Sequence, residues 1–113
     1  MGGIGMLDTY AVVAEPSRRR ILDRLLQSDS SVTDLVNDLG LSQPLVSKHL
    51  RILRESGLVQ VQVEAQRRIY TLDGRPLEEI DTWLSAYRKT WNHHVDRLGE
   101  YLDRKKAQRG SET

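Results

Sequence analysis

The residues of this chain best suited to chemistry lie between Leu41 and Val59, in the run LSQPLVSKHLRILRESGLV. On a helix, the small, amide-bearing and cationic side chains of this run would share one face, formed by Gln43, Pro44, Ser47, Lys48 and Arg51. Side chains of these kinds can bind base edges and phosphates but contribute little to a core. The run therefore predicts either a surface that binds nucleic acid or the solvated face of an ordinary amphipathic helix. The flanking residues must decide between the two.

The composition excludes several other kinds of chemistry. The 113 residues include no cysteine, so disulfides, thiolate metal sites and thiol redox sensing are ruled out. No nucleophile–base pair, carboxylate dyad or glycine-rich phosphate loop occurs at a recognisable spacing. We therefore expect neither an enzyme nor a cofactor.

The composition also predicts a class and a compartment. With 38% hydrophobic and 29% charged residues, the chain is expected to be one soluble, helix-rich domain. No apolar run is long enough to span a membrane, and the start MGGIGM lacks the basic and apolar regions of a secretory signal. We expect a cytoplasmic protein with no membrane partner.

Positive charge is concentrated in the middle of the chain. The net charge is only +1, but three acids stand against six cations between Ser42 and Arg75. The six are Lys48, Arg51, Arg54, Arg67, Arg68 and Arg75. This excess has the sign that a DNA-binding surface needs.

Local signals predict the helix that would carry the polar face. Ser42 is a suitable N-cap, and Pro44 falls in the first turn, where its missing N–H costs little. Gly57 suits the left-handed residue that follows a helix. Apolar residues at helical spacing predict one buried face, formed by Val46, Leu50 and Leu53. His49 lies toward that buried side, where a positioning role is more plausible than base reading.

Three helices are predicted before this one. The first covers Leu7 to Val13, Pro16 opens the second, and Thr33 caps a third that Gly40 ends, with a loop at Ser28 to Ser31. In the first helix, one side is predicted to carry Leu7, Tyr10, Ala11 and Ala14. The residues predicted to face the core are Ile21, Leu22, Leu25 and Leu26 in the second helix, and Leu35, Val36 and Leu39 in the third. Two helices joined by a tight turn, the second with a polar outer face, form a helix-turn-helix.

Three consecutive cations, Arg18, Arg19 and Arg20, begin the second helix. We expect this run to be solvated or to pair with acids such as Glu15 and Asp23. Contact with phosphate is the alternative.

The hydrophobic period changes from helical to strand-like after the polar helix. Valines alternate with polar residues from Val59 to Val63, a turn follows near Ala65, and a second strand runs from Arg67 to Leu72. A β-hairpin in this place is a wing, and Arg67 and Arg68 near its tip are expected to contact phosphate or the minor groove. An ordinary surface hairpin is the alternative.

A long final helix is predicted from about residue 76 to residue 103. Its apolar side chains are spaced three and four apart over more than three heptads, which is typical of a helix that packs against another helix. The stripe consists of Leu77, Ile80, Leu84, Tyr87, Trp91, His94, Leu98 and Tyr101. So small a domain cannot bury this stripe alone, and we expect a homodimer with a two-fold interface.

These elements give a mainly α fold with a small β-hairpin, in the order α-α-α-α-β-β-α, that dimerises through its terminal helices. Residues 1–6 are expected to be a disordered N-terminus, residues 7–103 the winged helix-turn-helix domain, and residues 104–113 a flexible tail.

The run LSQPLVSKHLRILRESGLV, preceded by AEPSRRRILDRLL and VTDLVNDLG and followed by RRIYTL, resembles the ArsR-type winged helix-turn-helix repressors. The resemblance covers roughly Leu7 to Leu102. It implies a homodimeric bacterial regulator that binds an operator with two-fold character. It also implies DNA contacts by the Ser-Gln and Ser-Lys pairs, which here are Ser42, Gln43, Ser47 and Lys48. Leu45 departs from the family pattern, which has Thr there, so a base contact by its side chain is doubtful.

Many members of this family sense metals, and the resemblance allows two known sites to be compared. The site with two cysteines on the first helix of the helix-turn-helix has no counterpart here. The spacing of the site on the last helix falls on Asp81, Trp83, His94 and Arg97, and an indole and a cation cannot complete a zinc site. We expect no metal site, with a pH-sensitive dimer contact at His94 as a further alternative.

The sequence as a whole predicts a homodimeric, sequence-specific DNA-binding regulator, expected to repress and to act on its own promoter. Gln43, Pro44, Ser47 and Lys48 would read the major groove. The groups expected to hold phosphates are Ser42, Arg51, Arg67 and Arg68. Two alternatives stay open: a repressor of the same family that responds to a metal or small ligand, and a winged-helix protein-interaction module that no longer binds DNA. The inducer and the operator sequence are not predicted.

Overall fold

A computed structural model of the chain describes residues 8–92. The elements are helices α1 (Thr9–Ala14) and α2 (Pro16–Gln27), strand β1 (Ser30–Ser31), helices α3 (Val32–Leu39) and α4 (Gln43–Glu55), strands β2 (Val59–Glu64) and β3 (Arg67–Leu72), a 3₁₀ turn (Arg75–Leu77) and helix α5 (Glu78–Ser85). They confirm the mainly α fold with a winged helix-turn-helix. The predictions for residues 1–6 and 104–113 lie outside the described residues.

The chain divides into two compact units between Ile80 and Asp81. The first contains α1 to α4, all three strands and the start of α5. The second contains the rest of α5 and the residues after it. No helix within residues 8–92 is long and apolar enough to cross a membrane.

The helix-turn-helix consists of α3, the short connection through Gly40, and α4. Gly40 and Gly57 have φ of 68° and 83°, the left-handed backbone predicted for both. The Ser42 hydroxyl accepts a hydrogen bond from the Leu45 N–H at 3.3 Å, which confirms Ser42 as the N-cap of α4. The buried face of α4 contains Val46, Leu50 and Leu53, as predicted, together with His49.

Helix α3 begins earlier than predicted, because Ser31 rather than Thr33 is its N-cap. The Ser31 hydroxyl accepts from the Asp34 N–H at 3.1 Å. The Asp34 carboxylate accepts from the Ser31 N–H at 3.0 Å in return. This reciprocal capping box satisfies two backbone donors that a cap at Thr33 would leave without partners.

One hydrophobic core lies beneath the helix-turn-helix and the sheet, formed by Val12, Ile21, Leu22, Leu25, Leu35, Val46, Leu50, Leu53, Leu58, Val59 and Tyr70. The prediction that Leu26 is buried is wrong, since it is 73% exposed. In α1 the buried residues are Thr9 and Val12, whereas Tyr10, Ala11 and Ala14, which were predicted to share one side of the helix, are exposed. Leu7 lies outside the described residues.

The wing belongs to a three-stranded antiparallel sheet in the order β1-β3-β2. Strands β2 and β3 pair from Val59↔Leu72 to Glu64↔Arg67, which confirms the predicted hairpin. Strand β1 lies in the segment predicted to be a loop, and it pairs Ser30 with Tyr70. The wing is therefore tied to the segment that leads into α3.

The predicted single helix from about residue 76 to residue 103 is interrupted within the described residues. Helix α5 ends at Ser85, residues 86 and 87 form a turn, and residues 88–92 are helical again. Two hydroxyls bind nearby carbonyls at this point: Ser85 donates to Thr82 at 2.6 Å, and Thr90 to Tyr87 at 2.6 Å. Such local hydrogen bonds compete with regular helical ones.

Candidate nucleic-acid interface

The polar face of α4 is exposed as predicted. Gln43, Pro44, Ser47, Lys48 and Arg51 are all exposed, and so is Ser42 at the start of the helix. Since the Ser42 hydroxyl oxygen accepts the capping hydrogen bond, its own hydrogen is left to donate to an external acceptor such as phosphate.

Several cations near this face have no partner elsewhere in the described part of the chain. Within residues 8–92, the side chains of Lys48, Arg51 and Arg54 make no hydrogen bond or salt bridge. Cations that are already paired have part of their charge neutralised, whereas these three keep theirs for an external anion. Arg54 was counted in the charge of this region but not among the predicted contacts.

Arg75, by contrast, is paired. Its Nη2 lies 2.6 Å from Asp73 Oδ2, and its backbone N–H also donates to that carboxylate at 3.1 Å. These hydrogen bonds from Arg75 hold the pKa of Asp73 well below its usual range. The charge of Arg75 is therefore compensated locally.

The two wing arginines differ in their surroundings. Arg67 Nη2 donates to the Ser31 hydroxyl at 3.1 Å and lies 3.6 Å from Asp34 Oδ2. Arg67 therefore contacts the capping box of α3, although its side chain is 63% exposed. Arg68 is exposed and makes no hydrogen bond or salt bridge within residues 8–92. The capping contact of Arg67 was not foreseen, because it depends on strand β1.

The arginine run at the start of α2 binds backbone carbonyls. Arg18 Nε donates to Val12 O at 2.7 Å, and Arg19 Nη1 donates to Val13 O at 2.8 Å. Arg20 Nη2 donates to Leu39 O at 2.8 Å. These carbonyls belong to the last turns of α1 and α3, which lack partners within their own helices. Arg19 and Arg20 are exposed, as expected for a solvated run, but the binding of helix ends by all three guanidinium groups was not predicted.

A buried polar cluster lies behind the polar face of α4. His49 is 5% exposed, its Nδ1 lies 3.3 Å from Arg18 Nη1, and its Nε2 lies 3.6 Å from Glu15 Oε2. Burial lowers the pKa of His49, Glu15 opposes this, and Arg18 and Lys48 add to it. His49 is therefore on the core side of α4, as predicted.

The expected dimer stripe is only partly within the described residues. Leu77 packs against the core, and Ile80 and Leu84 are half-buried. Tyr87 and Trp91 are 47% and 42% exposed. Trp83, which is 51% exposed, has its ring centroid 5.1 Å from that of Tyr87. The remaining members, His94, Leu98 and Tyr101, lie outside the described residues.

The helix-turn-helix and wing also match known proteins. Residues 15–61 match the model of a family described as "Bacterial regulatory protein, arsR family". The HTH-type transcriptional regulator Rv2034 of Mycobacterium tuberculosis is 31% identical over 94 residues, which cover 83% of this chain and 85% of that protein. The chain belongs to the arsR family.

Further proteins are similar to this chain in sequence and in fold. The transcriptional repressor SdpR of Bacillus subtilis is 28% identical over 79 residues, covering 70% of this chain and 88% of that protein. The solved structure of HlyU from Vibrio cholerae superposes with a TM-score of 0.59 at 33% identity, covering 76% of this chain and 94% of HlyU. The chain is thus a DNA-binding transcriptional regulator and not an enzyme.

The described residues do not fit the metal site on the last helix that the family resemblance implies. The Asp81 carboxylate is paired with Arg88, and the indole of Trp83 has an N–H donor but no lone pair for a metal. Within residues 8–92, no group of three or more His, Asp or Glu side chains could hold a metal ion. His94 and Arg97 lie outside the described residues.

Proposed function

We propose that the chain is a cytoplasmic, homodimeric repressor that binds an operator with two-fold character and acts without a bound metal. The exposed face of α4 is the observation that carries this proposal. It combines an amide, two small polar groups and cations that have no partner within residues 8–92, on a helix whose opposite side is fixed in the core. In a helix-turn-helix this second helix enters the major groove.

The contacts follow from the position of each side chain. Gln43, Pro44, Ser47 and Lys48 would meet base edges, since they occupy the exposed N-terminal half of α4. Phosphates would be held by the exposed groups at the edges of this surface, namely Ser42, Arg51, Arg68 and, more weakly, Arg67. A second copy would place its own α4 about 34–36 Å away, one helical turn of DNA.

A protein-binding role for the same face is less well supported. Interfaces between proteins centre on aromatic and large apolar anchors. The exposed residues of α4 include no aromatic side chain, and its large apolar residues are buried or half-buried. The wing exposes Arg67 and Arg68, and the large apolar side chain exposed beside them is a single valine, Val63, at 69%.

Selection of bound duplexes from a random DNA pool tests the proposal. We expect a motif with two-fold symmetry, and a reporter driven by that motif should be silenced when the protein is present. A single, asymmetric motif would contradict the homodimer, and no preference over competitor DNA at moderate salt would contradict sequence-specific binding. Activation of the reporter would keep the DNA contacts but overturn repression.

Lys48→Ala should weaken binding to the selected operator and flatten its salt dependence, because the change removes a cation from the surface that would face DNA. Lys89→Ala is the matched control, because Lys89 is an exposed lysine far along the chain from the helix-turn-helix. Affinity should be measured by fluorescence anisotropy over a series of salt concentrations. Equal effects of the two substitutions on affinity would show that Lys48 does not contact the operator. Zinc added to the same assay should leave the affinity unchanged.

A further inference from the structure

Three polar side chains meet behind the exposed face of α4 and take no part in the proposed DNA contacts. His49 projects from α4, Glu15 is the N-cap of α2, and Arg18 lies in the first turn of α2. His49 is almost fully buried, although it directly follows Lys48 in the chain. Burial of a histidine among charged groups costs free energy unless its ring nitrogens have partners.

The partners of His49 select one protonation state. A guanidinium can only donate hydrogen bonds, so Nδ1, 3.3 Å from Arg18 Nη1, must carry a lone pair. The neutral ring then has its hydrogen on Nε2, the nitrogen that lies 3.6 Å from Glu15 Oε2. Arg18 and Glu15 therefore favour the same tautomer from opposite sides of the ring.

Both partners are themselves fixed to the corner between α1 and α2. Arg18 Nε donates to Val12 O at 2.7 Å. The Glu15 carboxylate accepts from the Arg18 N–H at 3.1 Å as the N-cap of α2. The imidazole consequently connects α4 to a corner whose own geometry is determined by these bonds.

We propose that Glu15, Arg18 and His49 form a positioning cluster that sets the orientation of α4, and that the cluster is intact only while His49 is neutral. The three are positioning residues, since they act on DNA through the exposed side of α4. The inference builds on the proposed function, because an operator is the ligand that α4 is being positioned for.

A proton on Nδ1 would oppose the cluster in two ways. It would place a second donor and a positive charge against Arg18 Nη1, and it would put a charge in a site with little solvent. The charged groups that act on the ring are Glu15, Arg18 and Lys48, of which only Glu15 favours protonation. Burial is the largest contribution, and it also opposes the charged ring.

The tautomer is measured first, by long-range ¹H–¹⁵N correlation spectra of the imidazoles in the DNA-free protein. We expect His49 to show a hydrogen on Nε2 and none on Nδ1 near neutral pH. A hydrogen on Nδ1 would overturn the proposal. This measurement needs no operator, so it separates failure of the cluster from failure of the proposed function.

The second measurement is the ratio of operator affinity to affinity for random DNA, followed from about pH 7.5 to about pH 5.5. For the wild type this ratio should fall on the order of tenfold, the effect of losing one charge-assisted hydrogen bond. His49→Gln keeps one acceptor and one donor without titrating, so its ratio should stay near the wild-type value and vary little with pH.

His49→Leu removes both ring nitrogens while preserving the apolar volume. It should lower the ratio near neutral pH to about the value that the wild type reaches at low pH, without lowering the melting temperature. His93→Asn is the control, since it removes another histidine of the chain and leaves Glu15, Arg18 and His49 unchanged. A wild-type ratio that is independent of pH, or one that His49→Leu leaves unchanged, would overturn the proposal. Absence of any wild-type preference for the operator would instead contradict the proposed function.

Discussion

The positive charge of the proposed DNA surface comes from single side chains whose neighbours leave them unpaired. Among the cations of the central region, Lys48, Arg51, Arg54 and Arg68 are without salt bridges in the described part of the chain, whereas Arg75 is paired with Asp73. A count of charged residues therefore overstates the charge that DNA would meet. Arg75 pairs with an acid two residues away, whereas Arg67 reaches Asp34 through a contact between elements that the sequence does not show.

The two wing arginines should respond differently to substitution. Arg68→Ala should lower operator affinity and reduce the salt slope by about 0.9, because an unpaired cation is lost. Arg67→Ala should have a smaller effect on the slope, since part of its charge is compensated by Asp34. Salt titrations of both variants provide the measurement, and each is the other's control. A larger slope change for Arg67→Ala would show that it leaves the capping box to bind phosphate.

Stability should depend on pH through His49. Its pKa in the folded state lies below its usual value of about 6.5, chiefly because of burial. The unfolded chain therefore takes up a proton before the folded protein does as the pH falls. The resulting contribution to stability is present above about pH 6.5 and is lost as the pH falls toward the lower folded-state pKa.

Urea unfolding at several values of pH measures this dependence. The wild type should lose stability between neutral and mildly acidic pH, while His49→Gln should lose less over the same interval. His93→Asn and His94→Asn correct for the other two histidines of the chain. Parallel curves for the wild type and His49→Gln would contradict the lowered pKa.

At the scale of the elements, the capping box of α3 stabilises the start of that helix and also contacts the sheet and the wing. Ser31 pairs in strand β1, caps α3 and accepts a hydrogen bond from Arg67 of the wing. Its hydroxyl therefore links the sheet, the first helix of the helix-turn-helix and the wing.

Ser31→Ala should lower the free energy of unfolding by about 1 kcal/mol, the usual cost of losing an N-cap. It should also free Arg67 from the N-terminus of α3. Thr33→Ala is the control, since Thr33 is exposed and does not cap the helix. Chemical denaturation of both variants gives the comparison, and an equal loss of stability would indicate that the hydroxyl of Ser31 contributes little.

The elements differ in how far the sequence predicts them. Helix α4 was predicted from its cap to its terminal glycine, because Ser42, Gly57 and the apolar spacing are local signals that agree. Strand β1 was missed because two serines carry no hydrophobic alternation and pair only once β3 is in place. The roles of Arg18, Arg19 and Arg20 were missed for a similar reason, since their carbonyl acceptors become available only when helices end nearby.

Side-chain faces were less well predicted where an element is short. Tyr10 is exposed, and its hydroxyl donates to the Glu79 carbonyl at 3.1 Å, a contact far along the chain. Helix α1 has only six residues, so its periodicity does not identify one face. The exposed surface of α4 was predicted correctly, because in a longer helix the position of the buried stripe determines which residues lie on the opposite side.

At the scale of the whole molecule, the proposed homodimer concerns the residues after Ile80. Tyr87 and Trp91 expose large aromatic surfaces, which a second copy could bury. Since two half-sites would be bound together, loss of the dimer should weaken operator binding far more than loss of any one contact.

Trp91→Glu should convert the protein to a monomer in sedimentation velocity experiments and lower operator affinity by about a hundredfold. Lys89→Glu introduces the same group two residues earlier and should leave the dimer intact. A dimer that survives Trp91→Glu would place the interface elsewhere, and a wild-type monomer would contradict the homodimer.

Strand β1 has a consequence for the order in which the domain forms. The hairpin of β2 and β3 joins neighbouring segments and can form early, whereas the pairing of Ser30 with Tyr70 closes a loop that encloses the whole helix-turn-helix. Contacts between residues so distant along the chain slow folding, because the entropy of loop closure is lost before the contact is gained. The wing should therefore become attached to α3 late, and the amide hydrogen of Ser30 should gain protection after those of α4 in pulse-labelling experiments.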